Sequence, residues 1–93
     1  MSDTFMTLIK MIVSVHKELI GPYAIQVANR VSGLSVSKDL ATIDVQREEK
    51  VITGELVQEY KKLFGNTSIE LCKEALQELL PNVTGEQLPE ELR

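Results

Sequence analysis

Tryptophan is absent, and aromatic residues make up 4% of the chain. Leu, Ile, Val and Ala must therefore fill the interior, a set that suits helix packing. A single cysteine, Cys72, excludes an intrachain disulfide framework. With His16 as the only histidine, a His/Cys zinc site or a conventional triad has too few members. No run approaches the ~20 apolar residues of a membrane span. Lys10 interrupts the apolar stretch Phe5 to Val15, and no basic region precedes it, so the N-terminus does not read as a signal peptide. A cytoplasmic protein is expected, in which the acceptor patterns Asn66-Thr67-Ser68 and Asn82-Val83-Thr84 carry no glycan. The ten Lys and Arg are scattered from Lys10 to Arg93 in a chain of net charge −4. Phosphate backbones need a concentrated positive surface, so nucleic acid is not an expected partner, and neither is a membrane. The five glycines are isolated and none opens a phosphate-binding loop.

What is present is enough for a folded domain. Hydrophobic residues make up 43% and charged residues 26% of 93 residues, which excludes disorder over most of the length and allows one modest core. Lys17-Glu18-Leu19-Ile20-Gly21 has a near-copy 44 positions later in Lys61-Lys62-Leu63-Phe64-Gly65. At the same offset Ile25 meets Ile69, and Val27/Leu71, Ala28/Cys72 and Val31/Ala75 agree in apolar class. The expected architecture is all-α: a compact bundle of four or five helices in a single domain, residues 1–93, built as two helix–glycine–helix units. Residues 82–93 read as a partly ordered acidic tail.

Residues 3–20 carry the clearest helical pattern. Phe5, Leu8, Ile12, Val15 and Leu19 form one stripe, and Met6, Ile9, Val13, His16 and Ile20 a second beside it. Two adjacent seams exceed what one neighbour can cover, so this helix is either central or shared with a second copy. Gly21-Pro22 ends it and starts a second helix, about residues 22–32, which buries Ala24, Val27 or Ala28, and Val31. Over residues 34–52 two readings compete. Ser37 is suited to cap a helix through Ile43 and on across the polar Gln46–Lys50, which is the favoured reading. The rival is a β-hairpin that pairs Thr42–Val45 with Lys50–Thr53, although its connection lacks Gly and Asn. A further helix opens near Thr53-Gly54 with Leu56, Tyr60 and Leu63 inward. Thr67-Ser68-Ile69-Glu70 reads as a capping box for a helix that runs to Leu80 and stops before Pro81. Thr84-Gly85-Glu86-Gln87 suggests a short last helix.

Each reactive side chain has a plain structural role to weigh. His16 lies in the second seam and suits a core-edge or interface histidine with a hydrogen-bonded tip; its alternative is an axial ligand or a pH-sensitive contact. Cys72 falls in the apolar row Ile69, Cys72, Leu76, Leu79, where a free thiol behaves as a small hydrophobe. Glu70, Glu74 and Glu78 share one face, and no EF-hand spacing accompanies them or Asp44, Glu48 and Glu49. Tyr23 and Tyr60 sit where packing aromatics would. No catalytic, cofactor or metal constellation emerges, and the chain is not expected to be an enzyme.

The segment Leu19-Ile20-Gly21-Pro22-Tyr23-Ala24 resembles the Gly-Pro-x-Ala turn of small helical modules appended to bacterial kinases, cyclases and other signalling proteins. The resemblance implies a non-catalytic regulatory or docking role, while the second unit departs from it with Gly65-Asn66-Thr67-Ser68. The expected function is thus a protein-interaction or regulatory module acting through an apolar helical surface. A small sensor holding an apolar ligand or cofactor between helices near His16 is the alternative, and a helix-turn-helix DNA binder the second alternative. Self-association is expected as a twofold homodimer through Met6, Ile9, Val13, His16 and Ile20, since a large exposed apolar seam usually marks an interface.

Overall fold

Two apolar rows side by side demand neighbours on more than one flank, and the first helix finds three within its own chain. The computed structural model describes residues 3–77 and Leu92. Its elements are α1 (Asp3–Ile20), α2 (Tyr23–Ala28), β1 (Leu34–Val36), β2 (Ile43–Val45), α3 (Glu49–Phe64) and α4 (Asn66–Leu76). Helix α1 packs against α2, α3 and α4. Leu8, Ile9, Ile12 and Val13 on α1 are completely buried, with Ile52, Leu56 and Val57 of α3 equally so. Each such aliphatic side chain contributes roughly 1.5–3 kcal/mol relative to leaving it wet. The fold is mostly helical, as the periodicity requires, with a small two-stranded sheet that the all-α expectation did not include.

Both helix corners turn at glycine in the same way. The Gly21 N–H donates to the Lys17 carbonyl at 2.7 Å with φ +71°, and the Gly65 N–H donates to the Lys61 carbonyl at 2.7 Å with φ +63°. A side chain at positive φ is costly, which is why glycine stands at both corners. Helix α4 starts directly at Asn66 without any side-chain cap bond, so the expected Thr67–Glu70 capping box is not formed. The abrupt Gly65 corner leaves no extended residue from which a hydroxyl could cap. Helix α3 begins at Glu49, earlier than expected, and carries Thr53 and Gly54 inside it, with the Thr53 hydroxyl bonded to the Glu49 carbonyl at 2.8 Å. The expected helix at 84–87 and the tail 82–93 lie outside the described residues except for Leu92, which is buried.

The middle segment corrects both sequence readings. No helix spans 38–50. Of the expected strand Thr42–Val45, Ile43–Val45 is a strand, but its antiparallel partner is Leu34–Val36, while Lys50–Thr53 is helical. Leu34 faces Val45, Ser35 faces Asp44 and Val36 faces Ile43. Ser37 uses its capping chemistry on the connecting loop: its Oγ accepts the Thr42 N–H at 3.0 Å and donates to Asp39 at 2.7 Å. Leu40, at φ +62°, makes the turn that glycine usually makes and is held there by burial of its side chain. Helix α2 is also shorter than the expected 22–32. It ends at Ala28 because Asn29 turns its amide onto β1, accepting the Val36 N–H at 2.8 Å and donating to the Val36 carbonyl at 3.1 Å.

Candidate functional site

The polar chemistry of the core gathers around His16, where α1, α3 and α4 meet. The Ile12 carbonyl can only accept, so the His16 Nδ1 that lies 2.8 Å from it carries the proton. Nε2 is then left as an acceptor and takes the Ser68 hydroxyl at 2.5 Å. The imidazole lies flat on Tyr60, with ring centroids 3.8 Å apart and planes 6° from parallel. Tyr60 in turn donates its hydroxyl to the Ala24 carbonyl at 2.7 Å. His16 and Tyr60 stand 44 positions apart, as do Ala24 and Ser68. Each hydrogen bond is therefore the counterpart of the other across the two helix pairs.

Burial sets the protonation of this cluster. It holds His16 below its ordinary value of 6.5, and the bond to Ile12 offsets only part of the effect. Burial raises Tyr60, with neighbouring Cys72 adding to it, and pushes the Cys72 thiol up to about 12. All three side chains are neutral near pH 7. The Ser68–His16 pair has the contact of a nucleophile and its base, but both side chains are fully buried and the second ring nitrogen meets a backbone carbonyl rather than a carboxylate. A substrate reaches neither without opening the helices. Among the described residues no group of three or more His, Cys, Asp and Glu is placed to hold a metal.

The other candidate feature is a surface groove at the Gly21-Pro22 corner, with a volume of about 610 Å³. Pro22 and Ile25 come from the start of α2, Val36 from β1, and Lys17 and Lys38 also line it, with Gln26, Asn29 and Ser37. No carboxylate lines it. The nearby Asp39 is held below the usual carboxylate range by the Ser37 hydroxyl and the Ala41 N–H, with the Lys17 charge adding to it.

The residues expected to meet a second copy are mostly taken up inside the chain. Ile9, Val13 and His16 have no exposed surface, because α3 and α4 cover the seam that α1 was expected to share. Met6 keeps 38% of its surface and Ile20 is half-buried. Of the tyrosines, Tyr60 is central, whereas Tyr23 is exposed and its hydroxyl accepts from Arg30 at 2.8 Å. Cys72 is buried as a hydrophobe, and Glu70 and Glu74 are exposed, with Glu78 outside the described residues. Sequence reasoning missed Ser68 as a core residue. The row Ser68, Cys72, Leu76, spaced by four, was its available signal, obscured by the apparent cap. No helix among the described residues is long and apolar enough to cross a membrane. Comparison with protein-family models, with curated proteins and with solved structures returns no match.

Proposed function

We propose that this chain is a non-enzymatic protein-interaction module of regulatory type, acting in the cytoplasm and built from two helix–glycine–helix units related by a pseudo-repeat. The observation that carries it is the groove at the Gly21-Pro22 corner, whose lining combines apolar Pro22, Ile25 and Val36 with the cations Lys17 and Lys38. That corner is also where the chain resembles the Gly-Pro-x-Ala turn of small bacterial signalling modules, so the docking role implied by the resemblance falls on a concave surface. Its occupant is a short segment of another protein that offers an apolar side chain to the apolar lining and a carboxylate to the lysines. Apolar contact supplies the affinity and the two cations orient the segment. The sensor alternative places a ligand beside His16, yet protein groups already bond both ring nitrogens and cover one ring face.

Panning a random displayed-peptide library against the folded chain tests the reading. Selected peptides should contain a carboxylate near an aliphatic or aromatic residue, should shift the amide signals of Ile25 and Lys38, and should bind more weakly to Lys38→Glu. Selected peptides that shift only signals away from the groove would refute it.

A further inference from the structure

The small sheet has two unlike edges. Gln46 N–H donates to the Gly33 carbonyl at 2.7 Å and Ser37 N–H to the Thr42 carbonyl at 3.0 Å, which makes Ser35 and Asp44 the hydrogen-bonded pair between them. By the alternation of an antiparallel ladder, Leu34 and Val36 turn their backbone groups away from β2, and Ile43 and Val45 turn theirs away from β1. The outer edge of β1 is occupied: the Val31 carbonyl accepts from Leu34, and Asn29 takes both groups of Val36. On β2, no described residue bonds the outward groups of Ile43 or Val45. The main neighbour of β2 among the described elements is β1 alone.

We propose that the outer edge of β2 docks an extended segment of a partner protein, which adds as a third strand and carries Lys or Arg opposite Asp44. This goes beyond the groove, which lies on the β1 side. Two N–H and two C=O groups in line give such a strand four main-chain hydrogen bonds, the usual source of affinity in strand addition, and alternate side chains give selectivity. Ile43 is buried and Val45 half-buried, so the partner's residues beside the cation are apolar. Asp44 is exposed, with one carboxylate oxygen taken by Gln46 at 2.6 Å and the other free of described partners. Exposed Glu48 adds negative charge close by, while Arg47 is turned away onto the Ser32 carbonyl and Glu55. A second copy is the poorer occupant. Full overlap of two β2 edges sets Asp44 of one copy against Asp44 of the other at a Cβ separation of about 4.5–5.5 Å, where like charges repel. Asp44 thus both selects a cationic strand and discourages self-pairing.

The test is an amide-resolved NMR titration of the full chain with the blocked peptide Thr-Val-Lys-Val-Thr. The Ile43 and Val45 amides should exchange quickly in the free chain, and with the peptide should shift and become protected. Asp44→Lys should weaken this peptide about fivefold and favour Thr-Val-Glu-Val-Thr by a similar factor. Val45→Pro removes an outward donor at an edge position that tolerates proline and should abolish binding of both. Should that variant not fold, the charge reversal at Asp44 decides alone. Protection of Ile43 and Val45 in the free monomer would overturn the proposal, as would shifts confined to other residues. A wild-type dimer in light scattering that protects the same two amides would make a second copy the occupant instead.

Discussion

Acidification should destabilise this protein through His16, with a sign and window that follow from its burial. The unfolded chain titrates His16 near its ordinary value of 6.5, whereas the folded chain holds it lower. Above 6.5 both states are neutral and the contribution is fully present. Below 6.5 the unfolded chain binds a proton that the folded chain refuses, so stability falls with a limiting slope of about 1.4 kcal/mol per pH unit until the folded value is reached. Between pH 6.5 and 5.5 the loss is at most about 1 kcal/mol. No carboxylate bonds the ring to relieve the charge: its partners are the Ile12 carbonyl, the Ser68 hydroxyl and the rings of Tyr60 and Phe64. Urea unfolding at pH 7.5, 6.5 and 5.5 measures it, and the midpoint should drop by somewhat under ~1 M over the last step. Asp39, also lowered, acts in a separate window, since its contribution is lost only as pH falls below its ordinary 3.8. His16→Gln should be less stable at every pH but nearly flat between 7.5 and 5.5. A wild-type curve that is flat there, or one the variant reproduces, would refute the reasoning.

Other substitutions test single contacts. Asn29→Ala deletes both bonds to Val36 and should cost about 1–3 kcal/mol, with faster hydrogen exchange at the Val36 amide than at Ser35. Gly65→Ala should cost about 1–3 kcal/mol in thermal unfolding, from backbone strain at φ +63° and ψ −145°, because an added Cβ meets nothing within 4 Å. Cys72 is buried with its thiol pushed up to about 12, so iodoacetamide at pH 8 should label it only as fast as the fold opens; rapid labelling of the folded chain would contradict its placement.

How far the fold could be read in advance depends on whether the deciding interaction is local. Helix α1 was legible to its bounds, because a double apolar row over residues 3–20 has only one period that fits it. The glycine corners were legible for a similar reason, since Gly21 and Gly65 mark conformations that other residues avoid. Residues 34–52 were not. The strand at Ile43–Val45 pairs backwards to Leu34–Val36 across a loop whose positive-φ residue is Leu40, a choice made by burial rather than by turn chemistry. The early end of α2 has the same origin, because Asn29 answers to Val36, seven residues away. At the core cluster, His16 could be placed in a seam. Its partner could not, because the donor for Nε2 lies 52 residues along, disguised as a helix cap.

The cluster also bears on why the two helix pairs are joined rather than identical. Some positions that correspond at the 44-residue offset share their environment: Leu8 and Ile52, Ile12 and Leu56, Val13 and Val57, and Ala28 and Cys72 are all completely buried, and Leu19 and Leu63 are both exposed, whereas Val27 and Val31 are buried and their counterparts Leu71 and Ala75 only half-buried. At the centre, however, corresponding positions differ in chemistry. Two copies with histidine at the stacked position would need a buried donor for each ring, and two copies with tyrosine would need an acceptor for each hydroxyl. Here His16 obtains its donor from Ser68, and Tyr60 finds its acceptor in a backbone carbonyl that every residue has, so Ala24 suffices. A single chain can make those two choices separately, where a symmetric dimer of one unit cannot. The resulting flat His16–Tyr60 stack puts two unlike rings with complementary hydrogen-bonding needs where symmetry would impose two alike, and it leaves no described buried side-chain polar atom without a partner.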